Sequence, residues 1–264
     1  MKQSPIRYFN DIVTRLKDSL NPVGEFTEMD TLSAGNREYP LIKIVVGKGN
    51  PRRILISGGI HGDEPAGVET LCAFLENQLY KSFLNDWEFT LLPCINPSGF
   101  EVGTRNNQDD IDLNRMFKEA TVPQEVDFVK SVLEQPYDLD LELHEDIDSP
   151  GYYLYQKDQS TELSSLGRAI LDRVELTHPL NLAEEIEEMP ADRGLLGRLS
   201  EPDEMDWWPM ALYAYIRGCR HVFTMETSPA LPMEVRVKAH LLAIQTALEQ
   251  AQGNTKLKIR KGYR

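Results

Sequence analysis

Two histidines and a glutamate occupy positions at which they could share one metal ion. His61 and Glu64 lie three residues apart, where a Gly-Gly loop meets the start of a predicted helix. A second histidine, His144, directly follows another apolar run. Two imidazoles and one carboxylate, with a position left for water, form the ligand set of catalytic zinc sites. The sequence therefore predicts a metal site made by His61, Glu64 and His144.

The pair of His61 and Glu64 also fits a simpler interpretation. Asp63 could cap the helix that follows, and Glu64 would then interact favourably with the helix dipole. The preceding glycines and the second histidine at a strand end favour the metal site. The other histidines lack this setting, and we expect structural roles for them: His178, His221 and His240.

Alternating apolar runs and amphipathic segments indicate which elements position these side chains. Strands are predicted over residues 41–46, 54–57, 89–94, 139–143, 152–155 and 220–225, and helices over 65–79, 124–133, 162–174 and 232–250. This order predicts an α/β fold whose largely parallel sheet is covered on both faces. Ligands gather at the carboxyl ends of strands in such sheets. Polar residues follow these strand ends: Gly58–Glu64, Asn96, Arg105, Asp112–Arg115, His144 and Glu226.

Composition and charge restrict the function. The chain has 264 residues, and 42 acidic against 28 basic side chains give a net charge of −14. That charge argues against nucleic acid and anionic membranes as partners, because both require a basic surface. Three scattered cysteines cannot build a disulfide framework. Without a spanning apolar run or an apolar leader, we expect a soluble, reduced, cytoplasmic protein.

Other catalytic schemes lack their motifs. The sequence contains no Gly-x-Ser-x-Gly turn, no P-loop and no His-Glu-x-x-His helix. Each cysteine lies in an apolar stretch rather than in the polar setting that a nucleophilic thiol requires. A metal-dependent reaction is the scheme that the residues favour.

An ordered set of motifs carries a family resemblance. The set is His61-Gly62-Asp63-Glu64, Asn96-Pro97-x-Gly99, Arg105-x-Asn107, Asp112-Leu113-Asn114-Arg115, His144 and Glu226-Thr227, with Asp206-Trp207-Trp208 before the last of these. Over residues 40–250 the chain resembles zinc carboxypeptidases of the M14 type, in the shorter bacterial branch without a propeptide. The resemblance implies a single catalytic domain over residues 1–264, a three-layer α/β/α fold with a twisted, mixed, largely parallel sheet of about eight strands.

The resemblance also implies a role for each site residue. His61, Glu64 and His144 would hold one zinc ion, and Glu226 would act as general base and then as general acid. Arg105 would stabilise the oxyanion. Asn114 and Arg115 would bind the terminal carboxylate of the substrate, and Asp112 would hydrogen-bond the first zinc histidine.

Three functions stay open at this point. The first is a carboxypeptidase that releases a C-terminal residue from a peptide. The second is an N-acyl amino acid deacylase of the aspartoacylase/succinylglutamate desuccinylase group, which shares the Asp112–Phe117 pattern but generally carries a further β-rich domain. The sequence ends 38 residues after Glu226, which favours the peptidase. The third is a non-catalytic metal- or peptide-binding protein, against which the presence of Glu226 argues.

Some features depart from the family pattern. No tyrosine lies between Tyr155 and Tyr213, where the family has a mobile tyrosine, and the segment offers Arg193 and Arg198 instead. Met205 falls near the side-chain pocket and suggests that this pocket is uncharged. Five acidic residues fall near the site, and they could either bind a second metal ion or simply be charged side chains in contact with solvent. They are Asp109, Asp110, Glu145, Asp146 and Asp148.

Overall fold

The computed structural model describes residues 7–20, 24–159, 165–197 and 202–261. Its α-helices are α1 (Phe9–Ser19), α2 (Pro65–Glu76), α3 (Pro97–Val102), α4 (Gln124–Val132), α5 (Leu166–Glu175), α6 (Met210–Ile216) and α7 (Met233–Lys261). Its strands are β1 (Gly24–Ala34), β2 (Arg37–Val46), β3 (Arg52–Gly58), β4 (Trp87–Leu92), β5 (Leu139–Glu145), β6 (Tyr153–Asp158), β7 (Glu185–Ile186), β8 (Met189–Pro190), β9 (Leu195–Leu196) and β10 (His221–Thr227).

An eight-stranded mixed sheet runs through the centre of the fold in the order β1-β2-β4-β3-β5-β10-β6-β9. The four central strands, β4, β3, β5 and β10, are parallel to one another, whereas β2 and β6 join this group antiparallel on either side. Each predicted strand overlaps an observed one. The predicted mixed, largely parallel sheet is confirmed.

The two faces of the sheet are covered by different helices, which gives the predicted three layers. On strand β5, Leu143 faces α2, where Gly67 packs against its side chain. Because side chains alternate along a strand, Asp140, Glu142 and His144 project from the other face, where α6 contacts β5 and β10. Asp140, Glu142 and His144 therefore lie on the α6 face of the sheet, and all three are buried.

Several elements differ from the sequence-based prediction. Helix α1 and the strands β1, β7, β8 and β9 were not predicted. The predicted helix at 162–174 corresponds to α5, with residues 160–164 outside the described part. The three cysteines are buried and unpaired, as predicted. Within the described residues, no helix is both long and apolar enough to cross a membrane.

Candidate metal centre and active-site cavity

Three side chains from separate elements converge at the carboxyl end of the sheet. His61 lies in the loop after β3, Glu64 immediately precedes α2, and His144 is near the end of β5. All three are buried, and the Nδ1 atoms of both histidines face the Glu64 carboxylate, at 2.6 Å for His61 and 3.0 Å for His144. Their ligand atoms all lie within 4.8 Å of one another, and no other group of this kind occurs among the described residues. The structure thus brings the three predicted ligands together.

The chemistry of this donor set fits a divalent cation. Burial acts to raise the pKa of Glu64, but the charges and hydrogen bonds of His61 and His144 hold it below its usual range. Burial lowers the pKa of His144. An ionised carboxylate and a neutral imidazole are the forms that bind a metal ion. Without a cation, the Nδ1 atoms of the two histidines hydrogen-bond the Glu64 carboxylate. One cation between the three groups would bind the lone pairs of these nitrogen and oxygen atoms instead.

The loop that carries His61 is held by close backbone packing. A Cβ atom on Gly62 would lie 2.0 Å from the backbone carbon of Gly99, so only glycine fits between the two loops. The Gly62 carbonyl accepts a hydrogen bond from Arg7 Nη1 at 2.9 Å, and its N–H donates to the Arg105 carbonyl at 3.3 Å. These contacts fix the start of the metal-binding segment before α2 begins.

Asp112 connects the first histidine to Arg105. Its Oδ1 lies 3.3 Å from His61 Nε2 and accepts from the Asn114 N–H, while its Oδ2 accepts from Arg105 Nε at 3.1 Å. Burial acts to raise the pKa of Asp112, but His61 and Arg105 hold it well below its usual range. A carboxylate on the outer nitrogen of a ligating histidine fixes the ring orientation and tautomer. Arg105 also reaches Glu64, with Nη1 at 3.4 Å from Oε1.

Glu226 stands next to this centre on β10. It pairs in register with His144 on one side and with Tyr153 on the other. The side chain is partly exposed because it opens onto a cavity. Burial raises the pKa of Glu226 well above its usual range, and the carboxylates of Glu64 and Asp146 add to the effect. A raised pKa of this kind is typical of carboxylates that take up and release protons in catalysis.

Asn114 and Arg115 form a second polar group on a single turn of 3-10 helix after Asp112. The Asn114 Oδ1 accepts from the Met210 N–H at 2.8 Å, which turns the amide NH₂ of Asn114 away from α6 as a donor. The Arg115 guanidinium stacks on the Trp207 ring, 3.8 Å from its centroid. Burial lowers the pKa of Arg115 while leaving it a cation at neutral pH.

All these groups except Asp112 open onto one cavity of about 690 Å³. His61, Glu64, Arg105, Asn114, Arg115, His144 and Glu226 line it together with residues that the sequence analysis did not assign to the site, among them Asp63, Tyr153, Tyr155, Glu187, Met189 and Trp207. Met205 also lines the cavity, but carboxylates such as Glu187 line it too, so the cavity is not the uncharged pocket that Met205 suggested. A cavity of this size, with a few convergent polar groups, is typical of a small-molecule or short-peptide site.

Although the segment before Asp206 contains no tyrosine, two tyrosines line the cavity from strand β6. Tyr153 and Tyr155 reach the cavity from β6, and the Tyr153 hydroxyl donates to Asp146 at 2.9 Å. Tyr153 and Tyr155 are two residues apart in a predicted strand, so the sequence indicates that they share one face of it. That this face is directed toward the site is shown only by the pairing of β6 with β10. Arg193 forms an ion pair with Glu175 at 2.6 Å and does not line the cavity, and Arg198 lies outside the described residues.

The acids near the site do not assemble a second metal centre within the described residues. Glu145 forms a buried ion pair with Arg236, with Nη1 at 2.8 Å from Oε1, and Asp146 accepts from Tyr153. Asp109 and Asp110 are exposed. Simple solvated or paired charge therefore accounts for these residues.

The other histidines have structural partners. The ring nitrogens of His178 and His240 bond backbone carbonyls, and His221 Nδ1 lies 2.7 Å from Asp158. None of the three belongs to the metal-binding group. The structural interpretation of these histidines agrees with the observed contacts.

Solved structures with a similar fold are metallopeptidases. A candidate metallopeptidase from Shewanella amazonensis superposes with a TM-score of 0.78 at 21% identity, covering 92% of each chain. A metallo-carboxypeptidase from Pseudomonas aeruginosa, solved in complex with (2-guanidinoethylmercapto)succinic acid, gives a TM-score of 0.68 at 16% identity, covering 93% of this chain and 68% of that one. These likenesses establish a carboxypeptidase-like α/β fold.

Sequence relatives point to the same group of enzymes. The chain is 32% identical over 74 residues to carboxypeptidase SOL1 of Arabidopsis thaliana and 30% identical over 169 residues to mouse carboxypeptidase D. These segments cover 25% and 52% of this chain but only 15% and 12% of the two relatives. Residues 50–250 match the family of the succinylglutamate desuccinylase/aspartoacylase catalytic domain. The chain therefore belongs to the succinylglutamate desuccinylase/aspartoacylase catalytic domain family.

Proposed function

We propose that the protein is a zinc-dependent carboxypeptidase that hydrolyses the amide bond preceding a C-terminal residue. The observation that carries this proposal is the convergence, in one cavity, of three buried metal-ligand side chains with Glu226 and Arg115. The proposal treats residues 1–264 as one catalytic domain. Three unpaired buried cysteines accord with a reducing compartment such as the cytoplasm.

The metal would be held by His61, Glu64 and His144. Zinc accepts nitrogen and oxygen ligands of this kind and, when bound, polarises a substrate carbonyl and lowers the pKa of water to about 7. Glu226 would take a proton from the attacking water and deliver it to the leaving amine. Its raised pKa makes the carboxylate a better proton acceptor than an exposed glutamate, which suits removal of a proton from water.

Two arginines have separate tasks in this proposal. Arg105 is held by Asp112 and Glu64 beside the metal centre, where its guanidinium can stabilise the negative charge that develops on the carbonyl oxygen. Arg115, fixed on Trp207, would bind the substrate carboxylate through two parallel hydrogen bonds, with the Asn114 amide as a further donor. With these tasks, Arg115 would select substrates whose carboxylate lies next to the scissile bond.

The alternative is an N-acyl amino acid deacylase, and the family match favours it. The charges of the cavity argue for the peptidase. Arg105 and Arg115 are the arginines among the described lining residues, and no lysine accompanies them, whereas Asp63, Asp146, Asp148 and Glu187 add negative charge. N-succinylglutamate carries three carboxylates, and binding it here would leave part of that charge beside like charges, which is unfavourable. A peptide needs only its single terminal carboxylate bound.

A mixed substrate pool tests the proposal. Zinc-loaded protein is incubated with free-carboxylate peptides, their C-amidated counterparts and N-acyl amino acids, including N-succinylglutamate, and products are identified by mass spectrometry. The proposal expects loss of one residue from the free-carboxylate peptides only. Cleavage of the N-acyl amino acids alone would replace it with the deacylase, and absence of turnover by protein with stoichiometric zinc would refute both enzymatic functions.

Variants assign the roles within the same assay. Arg115→Gln should lower kcat/KM for free-carboxylate peptides about a hundredfold, because charged hydrogen bonds are lost. Arg193→Gln, an arginine outside the cavity, is the matched control and should behave as wild type. Glu226→Gln should keep its zinc, measured by elemental analysis, and lose activity, whereas Glu64→Gln should lose zinc. Retained activity in Glu226→Gln would contradict the assigned proton transfers.

A further inference from the structure

A short hairpin places one carboxylate in the cavity wall. Strands β7 and β8 pair antiparallel, and the two residues between them, Glu187 and Glu188, both have left-handed backbone conformations, with φ of 48° and 61°. The Tyr155 hydroxyl donates to Glu187 Oε2 at 3.1 Å. Tyr155 is nearly buried and belongs to the central sheet. The carboxylate of Glu187 is thus held in place by a rigid element, although its side chain belongs to a turn.

Glu187 is an exposed side chain of the cavity lining, and no ion pair of Glu187 occurs within the described part of the chain. Its charge acts favourably on Arg115 and adds to the rise in the pKa of Glu226, so it lies within electrostatic reach of both groups. Its carboxylate can therefore pair with a cation that enters the cavity. In the proposed enzyme, the substrate can supply that cation.

The cavity wall next to Glu187 is apolar. Met189 from the same hairpin and Tyr155 from β6, whose hydroxyl contacts Glu187, both line the cavity. Lysine and arginine side chains combine a long apolar stem with a charged end, and they place the stem along apolar surface while the end reaches a polar group. An apolar wall beside a fixed carboxylate suits this combination better than it suits a short or acidic side chain.

We propose that Glu187 determines specificity by binding an ammonium or guanidinium group of the substrate, while Arg115 binds its carboxylate. This inference rests on the proposed function, since it concerns the substrate of the same site. The substrate class would be a short peptide that carries a flexible cationic group near its free C-terminus. The charge-bearing segment around residues 184–188, which the metal chemistry does not use, would thereby have a role in recognition.

Two other roles for Glu187 make different predictions. If Glu187 served only to hold the hairpin through Tyr155, its replacement would lower turnover of every substrate by the same factor. If it served only to adjust the pKa of Glu226, its replacement would shift the pH–rate profile equally for cationic and neutral substrates. Recognition of a cation, in contrast, changes the ratio between substrates.

The test compares matched peptides that differ by one side chain. Each series of peptides carries lysine, norleucine or glutamate at one position, which is either the released residue or the residue before it. Each series is prepared with the amino terminus acetylated and with it free. The measured quantity is the ratio of kcat/KM for the lysine peptide to that for the norleucine peptide. Wild type should favour lysine at least about tenfold in one of these series, since hydrogen bonds to charged groups contribute that much. The series in which the preference appears identifies the position of the cation.

Variants then connect the preference to Glu187. In Glu187→Gln the ratio should fall close to one, and in Glu187→Lys the glutamate peptide should become the preferred substrate. Glu188→Gln is the matched control, because it removes the same charge from the same turn but lies outside the cavity lining, and it should keep the wild-type ratio. A wild-type ratio near one in every series, or a ratio retained in Glu187→Gln, would overturn the inference.

A binding measurement separates this inference from the proposed function. Zinc-loaded Glu226→Gln and Glu226→Gln/Glu187→Gln proteins are titrated calorimetrically with the lysine and norleucine peptides. A lysine preference that disappears in the double variant would support the role of Glu187 even if the wild type hydrolysed no peptide. Equal binding of both peptides by Glu226→Gln would reject that role even if the wild type proved to be a carboxypeptidase.

Discussion

Acidification should destabilise the protein through His240, a fully buried histidine behind the metal centre. Its Nε2–H donates to the backbone carbonyl of His144 at 3.2 Å, and its Nδ1 accepts from the Tyr152 hydroxyl at 3.1 Å. Both hydrogen bonds are satisfied by the neutral ring, so a proton would add a buried charge. Burial lowers the pKa of His240 from 6.5 to about 3.

The sign and size of the effect follow from proton linkage. Because the pKa is lower in the folded protein, the unfolded chain binds a proton first as the pH falls. The contribution of His240 is complete above pH 6.5 and is lost progressively between pH 6.5 and 3. Between pH 7.5 and 5 the loss is about 2 kcal/mol. For a chain of 264 residues this corresponds to a fall in Tm of about 4 °C.

A substitution isolates this contribution from all other titrating groups. Thermal unfolding of wild type and His240→Gln is measured at pH 7.5 and 5 with a chelator present, so that metal binding does not vary with pH. Glutamine can still donate to the His144 carbonyl but does not titrate. His240→Gln should be less stable than wild type at pH 7.5, and the difference should shrink by about 2 kcal/mol at pH 5. Equal losses in both proteins would refute the assignment.

Three further outcomes are expected. Removing the metal with a chelator should lower Tm by about 5 °C relative to protein at a hundredfold excess of zinc over Kd, and added zinc should restore it; an unchanged Tm would mean that no ion binds the folded state. Gly62→Ala should destabilise the fold by at least about 2 kcal/mol because its Cβ meets the Gly99 backbone, whereas Gly197→Ala, with no atom within 4 Å, should not; chemical denaturation measures both. Arg236→Met should lower the free energy of unfolding by about 3–5 kcal/mol, because it leaves Glu145 buried and unpaired. Adding Glu145→Gln should recover part of that loss, and no recovery would mean that the pair contributes only packing.

The strands that carry the metal ligands could be predicted because their signals are local. Apolar runs bounded by glycine and proline give β3, β5 and β10, and polar residues follow each of them directly. In an α/β fold with parallel strands, the carboxyl ends of the strands lie at the same edge of the sheet, independently of how the connecting segments fold. His61, Glu64, His144 and Glu226 therefore lie in one site, as their positions after these strands predict.

The parts that were missed depend on contacts between distant segments. Strand β1 is mostly exposed, so it lacks the apolar pattern that marks a strand and is defined by its pairing with β2. Glu187 lines the cavity, where its carboxylate accepts a hydrogen bond from Tyr155 of β6. No local pattern in the acidic segment predicts this contact between distant residues.

Membership in a deacylase family is compatible with the proposed peptidase activity. The proposed metal ligands and Glu226 come from the ends of buried strands, and the chemistry proposed for them, hydrolysis of an amide bond, is common to both activities. Arg115 and Glu187, which would select the charge of the substrate, come from a turn and a hairpin outside the central strands. Such segments can change without disturbing the core. In the proposed enzyme, the family fold would therefore determine the reaction, whereas the balance of two arginines against the acidic side chains of the cavity would determine which carboxylate-bearing amide fits.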